Sequence, residues 1–391
     1  MARDLSRMET LLEEGDFDGY LLHADSTNAN QYYLSGFDAP DPFLTLFTPG
    51  QTVILTTALE FGRAQSESRA DVVRKLAEYG YREKAAEHGR DTAKGLVYAE
   101  FLAEFGVESV TTDRRFPLFS ADSLREQGIA VTADREDTLE TIRATKTATE
   151  IDHIREAQAA NESAMAAAAE MLAEATVGDG GTLHLDGEVL SSERVRTKIE
   201  RTLLDLGFAL DETIVASGPA GAKPHDRGSG PISASEPVIV DIFPRSKTTK
   251  YHADMTRTFV RGEPDSRIRE FHDLTREAKA AAMEAVEPGV TGAFVHDAVC
   301  DVFEDAGYAT LRSDESTDTG FIHGTGHGVG LEVHEHPQVS PDGGELEPGH
   351  VITIEPGLYD PEVGGVRIED LIVVTEDGHE NLTEYPETLE L

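Results

Sequence analysis

A glycine-rich stretch, FIHGTGHGVGLEVHEHP, gathers His323, His327, His334 and His336 within fourteen residues. Imidazole ligates metals and exchanges protons near neutral pH. The interleaved Gly324, Gly326, Gly328 and Gly330 let the backbone approach an ion or substrate closely. Four carboxylates complete the pattern. Asp241 in PVIVDIFP and Asp254 in YHADMTRTFV lie thirteen residues apart, and Glu355 in VITIEPGLY and Glu369 in GGVRIEDLIVV lie fourteen apart. Each interrupts or borders a β-branched run that should be buried, where a charge costs several kcal/mol unless it is paired or coordinates a metal. With 74 acidic residues in the chain, any one of the four read alone is a surface or edge-strand carboxylate. Four at matched places, beside a histidine cluster, predict a chemical centre.

The elements that must position these groups repeat. Val195, Ile199, Leu203, Gly207 and Phe208 are matched one hundred residues later by Val295, Val299, Phe303, Gly307 and Tyr308. Each set has the spacing of an amphipathic helix stopped by glycine. Each helix precedes a strand pair carrying two of the carboxylates, joined by turn-rich PRSKTT in the first half and DPEVGG in the second. The pattern predicts two related αβ halves. Upstream, Thr147 and Glu150 form a capping box for a long helix whose apolar side includes Ile151, Ile154, Met165 and Met171/Leu172. That helix opens a second domain over residues 139–391. Residues 1–138 read as a separate mixed α/β domain, with a helix near Leu5–Leu12, a strand at Gly19–Leu22 and a hairpin of FLTLF and TVILT.

The chain has 391 residues, a net charge of −40 and one cysteine. Its acidic surface argues against nucleic acid and anionic membrane as partners. No apolar run approaches the roughly 20 residues that span a bilayer. The first residues lack a signal-peptide pattern, so a cytoplasmic location is expected. Cys300, in the periodic run VHDAVCDVF, reads as a core thiol. Lysine is sparse and absent after Arg312, a composition that resembles proteins from salt-loving organisms. At molar salt the Debye length falls to about 3 Å, which makes such a surface tolerable.

The run HGTGHGVGLEVHE, with DIF…ADMTRTF before it and IEPGLY…VRIED after it, resembles the signature of the pita-bread metallopeptidases: proline dipeptidases, Xaa-Pro aminopeptidases and methionine aminopeptidases. NANQYYLSGF is similar to the creatinase-type N-terminal domain, and LETIRATKTATEIDHIREA to the usual join. The resemblance implies an α/β (α+β) fold, with a creatinase-like front domain and a pita-bread catalytic domain of pseudo-twofold internal repeat. The front domain favours the proline-specific members.

Carried across, the resemblance makes Asp241, Asp254, His327, Glu355 and Glu369 the ligands of two divalent ions, with Mn, Co, Zn and Fe all admissible. Asp241 and Glu369 would bridge them, and Glu355 would also shuttle a proton. His225 and His334 match the non-ligand catalytic histidines. His323, Tyr359 and Arg367 match positions lining the substrate pocket. The implied activity is hydrolysis of the bond preceding proline in small peptides, as a dipeptidase or aminopeptidase, by a homodimer. Two readings stand beside it: a non-catalytic peptide-binding module, and a metal-independent C–N hydrolase like creatinase. Both kinds of relative usually lose part of the ligand set, which is complete here. The chain departs from the family's Asp-x-Gly at Phe243-Pro244, and its loop to Asp254 is longer than usual, which bears on substrate choice.

Overall fold

The computed structural model describes residues 5–391. The chain divides into two compact units, the first ending at Arg143 and the second running from Ala144 to Leu391. The division falls slightly after the residue-138 boundary read from sequence. Helix Thr138–Ala144 belongs mostly to the first unit, because Asp134 Oδ2 accepts from the Thr138 amide and Arg143 Nη1 donates to Asn30 Oδ1 at 2.7 Å.

In the first unit six strands form one mixed sheet in the order Val72–Lys75, Gln51–Thr56, Phe43–Thr48, Gly19–Ala24, Ser109–Thr112 and Ala130–Ala133. The two central antiparallel pairings come from a meander whose hairpin, expected from FLTLF and TVILT, closes at Thr48 and Gln51 around a Pro49-Gly50 turn. Leu21, Leu44, Leu46, Val53, Leu55 and Val110 pack with Val97 and Phe101 of helix Arg90–Glu104 in its core.

The second unit begins on helix Ala148–Glu174. Its start is fixed by the capping box: the Thr147 side chain accepts from the Glu150 amide while Glu150 accepts from the Thr147 amide. Ile154, Met165 and Leu172 are buried along it, while Ile151 is only half-buried. With helix Ser192–Asp205 it covers a three-stranded antiparallel sheet of Thr213–Ser217, Val238–Ile242 and Met255–Phe259. Helices Ser266–Ala285 and Gly292–Asp305 pack likewise on a five-stranded sheet that includes Gly326–Gly328, Val351–Ile354 and Asp370–Thr375.

The two halves repeat one construction. Val195, Ile199 and Leu203, and their counterparts Val295, Val299 and Phe303, are all 0% exposed. Each such side chain contributes roughly 1.5–3 kcal/mol by leaving water. Gly207 and Gly307 both stop their helices at φ 87°, a left-handed conformation that costs glycine least. Cys300 is buried in the second core, as its periodicity implied. Among the described residues no helix is long and apolar enough to cross a membrane.

Candidate metal centre and active site

Strand alternation sets the first carboxylate. Val238, Val240 and Ile242 point into the helix-covered core, so Asp241 faces the other way, on the side of Ile239. Asp254 lies immediately before strand Met255–Phe259, which pairs antiparallel with the Asp241 strand through Asp241↔Thr256. Glu355 follows strand Val351–Ile354 directly, and Glu369 directly precedes strand Asp370–Thr375, its antiparallel neighbour. Three of the carboxylates therefore flank strand ends, and Asp241 lies one residue inside its strand. DPEVGG is the turn of a separate hairpin, Gly357–Asp360 with Gly364–Arg367.

The two halves bring these groups together. One ligating atom each from Asp254, His327 and Glu369 lie within 4.8 Å of one another. His327 Nε2 is 3.7 Å from Asp254 Oδ2 and 3.4 Å from Glu355 Oε1. Its Nδ1 lies 3.1 Å from the Gly328 carbonyl, an acceptor only, so Nδ1 carries the proton and Nε2 turns a lone pair toward the carboxylates. Asp241 Oδ1 and Asp254 Oδ1 are buried without a hydrogen-bond partner. Lone pairs and carboxylate oxygens converging out of water are a donor set for a divalent cation, with hard oxygen ligands and one imidazole. The residues thus fit the metal that the sequence implied.

The candidate ligands are held by neighbours that the sequence did not reveal. Thr256 Oγ1 donates to Glu369 Oε2 at 2.7 Å and accepts from Arg367 Nε at 3.2 Å. Thr353 Oγ1 accepts from the His327 amide at 3.1 Å. Arg257, 1% exposed, donates to the carbonyls of Thr256 and Glu369 and to Asp370 Oδ1, tying both halves behind the ligands. These residues are interior polar groups in strands, so only the pairing across the sheets shows what they touch.

Burial, with repulsion among the acids, raises Asp254 and Glu369 well above the usual carboxylate range. Glu355 is pushed up to about 8 by burial, with Asp241 adding to the rise and Arg367 opposing it. Desolvation holds His323 and His327 down at about 3, which keeps both imidazoles neutral near neutral pH.

A cleft of about 1150 Å³ opens over the cluster. His225, His323, His334 and Arg367 line it with all five candidate ligands. His225 and His334 are exposed at its wall, and the His334 ring lies edge-on to His327 at 4.3 Å. Tyr359 is an exception to the pocket-lining role. It is 0% exposed, and its hydroxyl accepts from Arg367 Nη1 and donates to His323 Nε2, each at 2.9 Å. It orients two lining residues from behind. Arg367 Nη2 also donates to Asp241 Oδ2 at 2.6 Å. His336, in the same histidine run, is exposed and does not line the cleft. It alternates with the buried Glu335 and Pro337 on strand Glu335–Val339.

Two αβ halves facing a shared carboxylate and histidine cluster in a cleft are the architecture of a hydrolytic metalloenzyme. The model for metallopeptidase family M24 matches residues 152–376, and that for the creatinase/prolidase N-terminal domain matches residues 5–145. The chain belongs to metallopeptidase family M24. It is 28% identical over 387 residues to a Xaa-Pro dipeptidase of Pyrococcus furiosus, with 98% of each chain covered. It is 36% identical over 255 residues to a probable dipeptidase of Mycobacterium tuberculosis, covering 65% of this chain and 62% of that one. Among solved structures it is similar to the prolidase of Pyrococcus horikoshii, with a TM-score of 0.80, 28% identity and 98% and 99% of the two chains covered. The Xaa-Pro dipeptidase from Bacillus anthracis gives a TM-score of 0.82 at 25% identity, covering 99% of each chain.

Proposed function

We propose that this chain hydrolyses the peptide bond preceding proline in short peptides. Asp241, Asp254, His327, Glu355 and Glu369 hold two divalent cations in this reading, with Mn(II), Co(II), Fe(II) and Zn(II) all compatible with the donors. The observation that carries it is the set of buried, unpartnered oxygens Asp241 Oδ1 and Asp254 Oδ1 beside His327 Nε2, in a chain of this family.

Divalent cations bound there supply an acidified water and polarise the scissile carbonyl. The chain's own residues do the rest. Glu355 takes a proton from the attacking water at its carboxylate and passes it to the leaving nitrogen. The Nδ1–H bond to Gly328 fixes the ligating tautomer of His327. The Tyr359 hydroxyl holds His323 and Arg367 in one orientation at the wall. His225 and His334 supply donors to the oxyanion, a role that requires an N–H within about 3 Å of the developing charge.

The complete ligand set disfavours both the binding-only module and the creatinase-like reaction. The finer reading is a cytoplasmic homodimer working in concentrated salt, supported by the family resemblance and by the net charge of −40.

The test is hydrolysis of Ala-Pro and Ala-Pro-Ala in high KCl with Mn(II) or Co(II), with and without a chelator. Cleavage lost on chelation and restored by metal is the expected result. Chelator-resistant turnover supports the creatinase-like reaction, and silence under every condition supports the binding module.

A further inference from the structure

Asp241 is followed by Ile242, Phe243, Pro244 and Arg245. Ile242 and Pro244 are buried, whereas Asp241, Phe243 and Arg245 all line the cleft, the alternation expected of extended chain. The backbone here is pinned. Arg245 pairs with Ala209 in a short antiparallel ladder and bridges to His252. The Ala253 amide donates to Pro244 O at 3.0 Å, the Ser246 amide to Tyr251 O at 2.9 Å, and the Thr249 amide to Ser246 Oγ at 3.1 Å.

Among the described residues the Arg245 guanidinium has no carboxylate partner. Its neighbour in the cleft, Arg227, is paired with Glu212, and Arg312 alone takes Asp297, Asp301 and Glu304. Where Asp and Glu outnumber Lys and Arg by 74 to 34, an unpaired arginine facing a cleft is available to an anion from outside. Lys223 also lines the cleft, but it is exposed and lacks the ladder that fixes Arg245.

We propose that Arg245 receives the free carboxylate of a dipeptide substrate, with Phe243 packing against the side chain of its second residue, so that dipeptides are preferred to longer peptides. The inference rests on the peptidase reading above. Four residues of extended chain separate Arg245 from Asp241 by about 13 Å. In a dipeptide the carboxylate lies one residue, about 3.5 Å, beyond the scissile carbonyl, and the Asp241 and Arg245 side chains cover the remainder. Guanidinium meets carboxylate through two parallel N–H···O bonds, which the neutral amide of a longer peptide does not reproduce.

The experiment compares kcat/KM for Ala-Pro and for its C-terminal amide, Ala-Pro-NH2, in the metal-loaded full chain, its Arg245→Gln variant and its Arg245→Lys variant. The wild type should favour Ala-Pro. Arg245→Gln should lose roughly 10- to 100-fold on Ala-Pro, mainly through KM, and change little on the amide. Arg245→Lys should keep part of the preference. Equal cleavage of both substrates by the wild type overturns the inference without touching the peptidase reading, and so does an equal loss on both in Arg245→Gln. Cleavage of neither by the wild type overturns the peptidase reading and this inference with it.

Discussion

The Thr256 hydroxyl donates to Glu369 Oε2 at 2.7 Å, joining the strand that follows one candidate ligand, Asp254, to a second ligand contributed by the other half of the domain. Thr256 is wholly buried, and its backbone carbonyl accepts from the Glu369 amide at 3.1 Å. The two halves are therefore registered at the cluster by a side chain that need not touch metal. Replacing Thr256 with Val keeps the volume but leaves Glu369 Oε2 without its donor and Arg367 Nε without its acceptor. Metal affinity should weaken roughly 10- to 100-fold, as for other groups that orient ligands. Metal titration followed by calorimetry checks this; an unchanged affinity would show that packing alone places Glu369.

Removing a candidate ligand outright should have a different signature. Asp254→Ala and Glu355→Ala are expected to abolish metal-dependent hydrolysis while leaving the circular dichroism spectrum of the folded chain. Relief of repulsion within the acidic cluster offsets the lost packing, so the metal-free melting temperature should fall little or rise. Full activity in either variant would remove that residue from the centre.

The metal-free protein should lose stability as pH rises from about 5 to 8. Glu355 holds its proton up to about 8, against an ordinary glutamate value of 4.5, and Asp254 and Glu369 shift the same way. Between those limits the folded chain retains protons that the unfolded chain has released, so raising pH favours unfolding, by up to about 1.4 kcal/mol per unit for each fully shifted group. The stabilising protonation is complete below the unfolded value and lost through the folded one. Melting curves with chelator at several pH values, repeated with Mn(II) and with Glu355→Gln, test this. Metal and substitution should each flatten the slope; a slope that rises with pH would contradict the assignment.

Salt provides the third physical lever. With a net charge of −40, self-repulsion opposes the compact state until ions screen it, and raising salt from about 0.1 M to 1 M shortens the Debye length from about 10 Å to 3 Å. Melting temperature and activity should climb together over that range. A melting temperature that falls steadily with KCl would show that the acidic surface is not destabilising at low salt.

Much of this protein was legible before its fold was known, because the informative features are local. Helical spacing at Val195, Ile199 and Leu203, the capping box at Thr147 and Glu150, and histidines between glycines each depend on neighbours a few residues away. The hundred-residue repeat and the carboxylates set in apolar runs were enough to expect two related halves around a chemical centre, and resemblance of the motifs supplied the family. Tertiary structure alone decided which polar groups support that centre. Thr256 meets Glu369 across 113 positions of sequence, and Arg367 meets Asp241 across 126. Such partners leave no periodic trace, since one threonine or arginine in a strand looks like any other until the sheets bring it opposite its acceptor. The same limit separated the histidines. His327 and His336 stand in one run, yet His327 lies on the wholly buried strand Gly326–Gly328 beside the cluster, while alternation along Glu335–Val339 turns His336 to solvent. It also hid Arg245, whose meaning lies in the carboxylate partner that folding withholds from it.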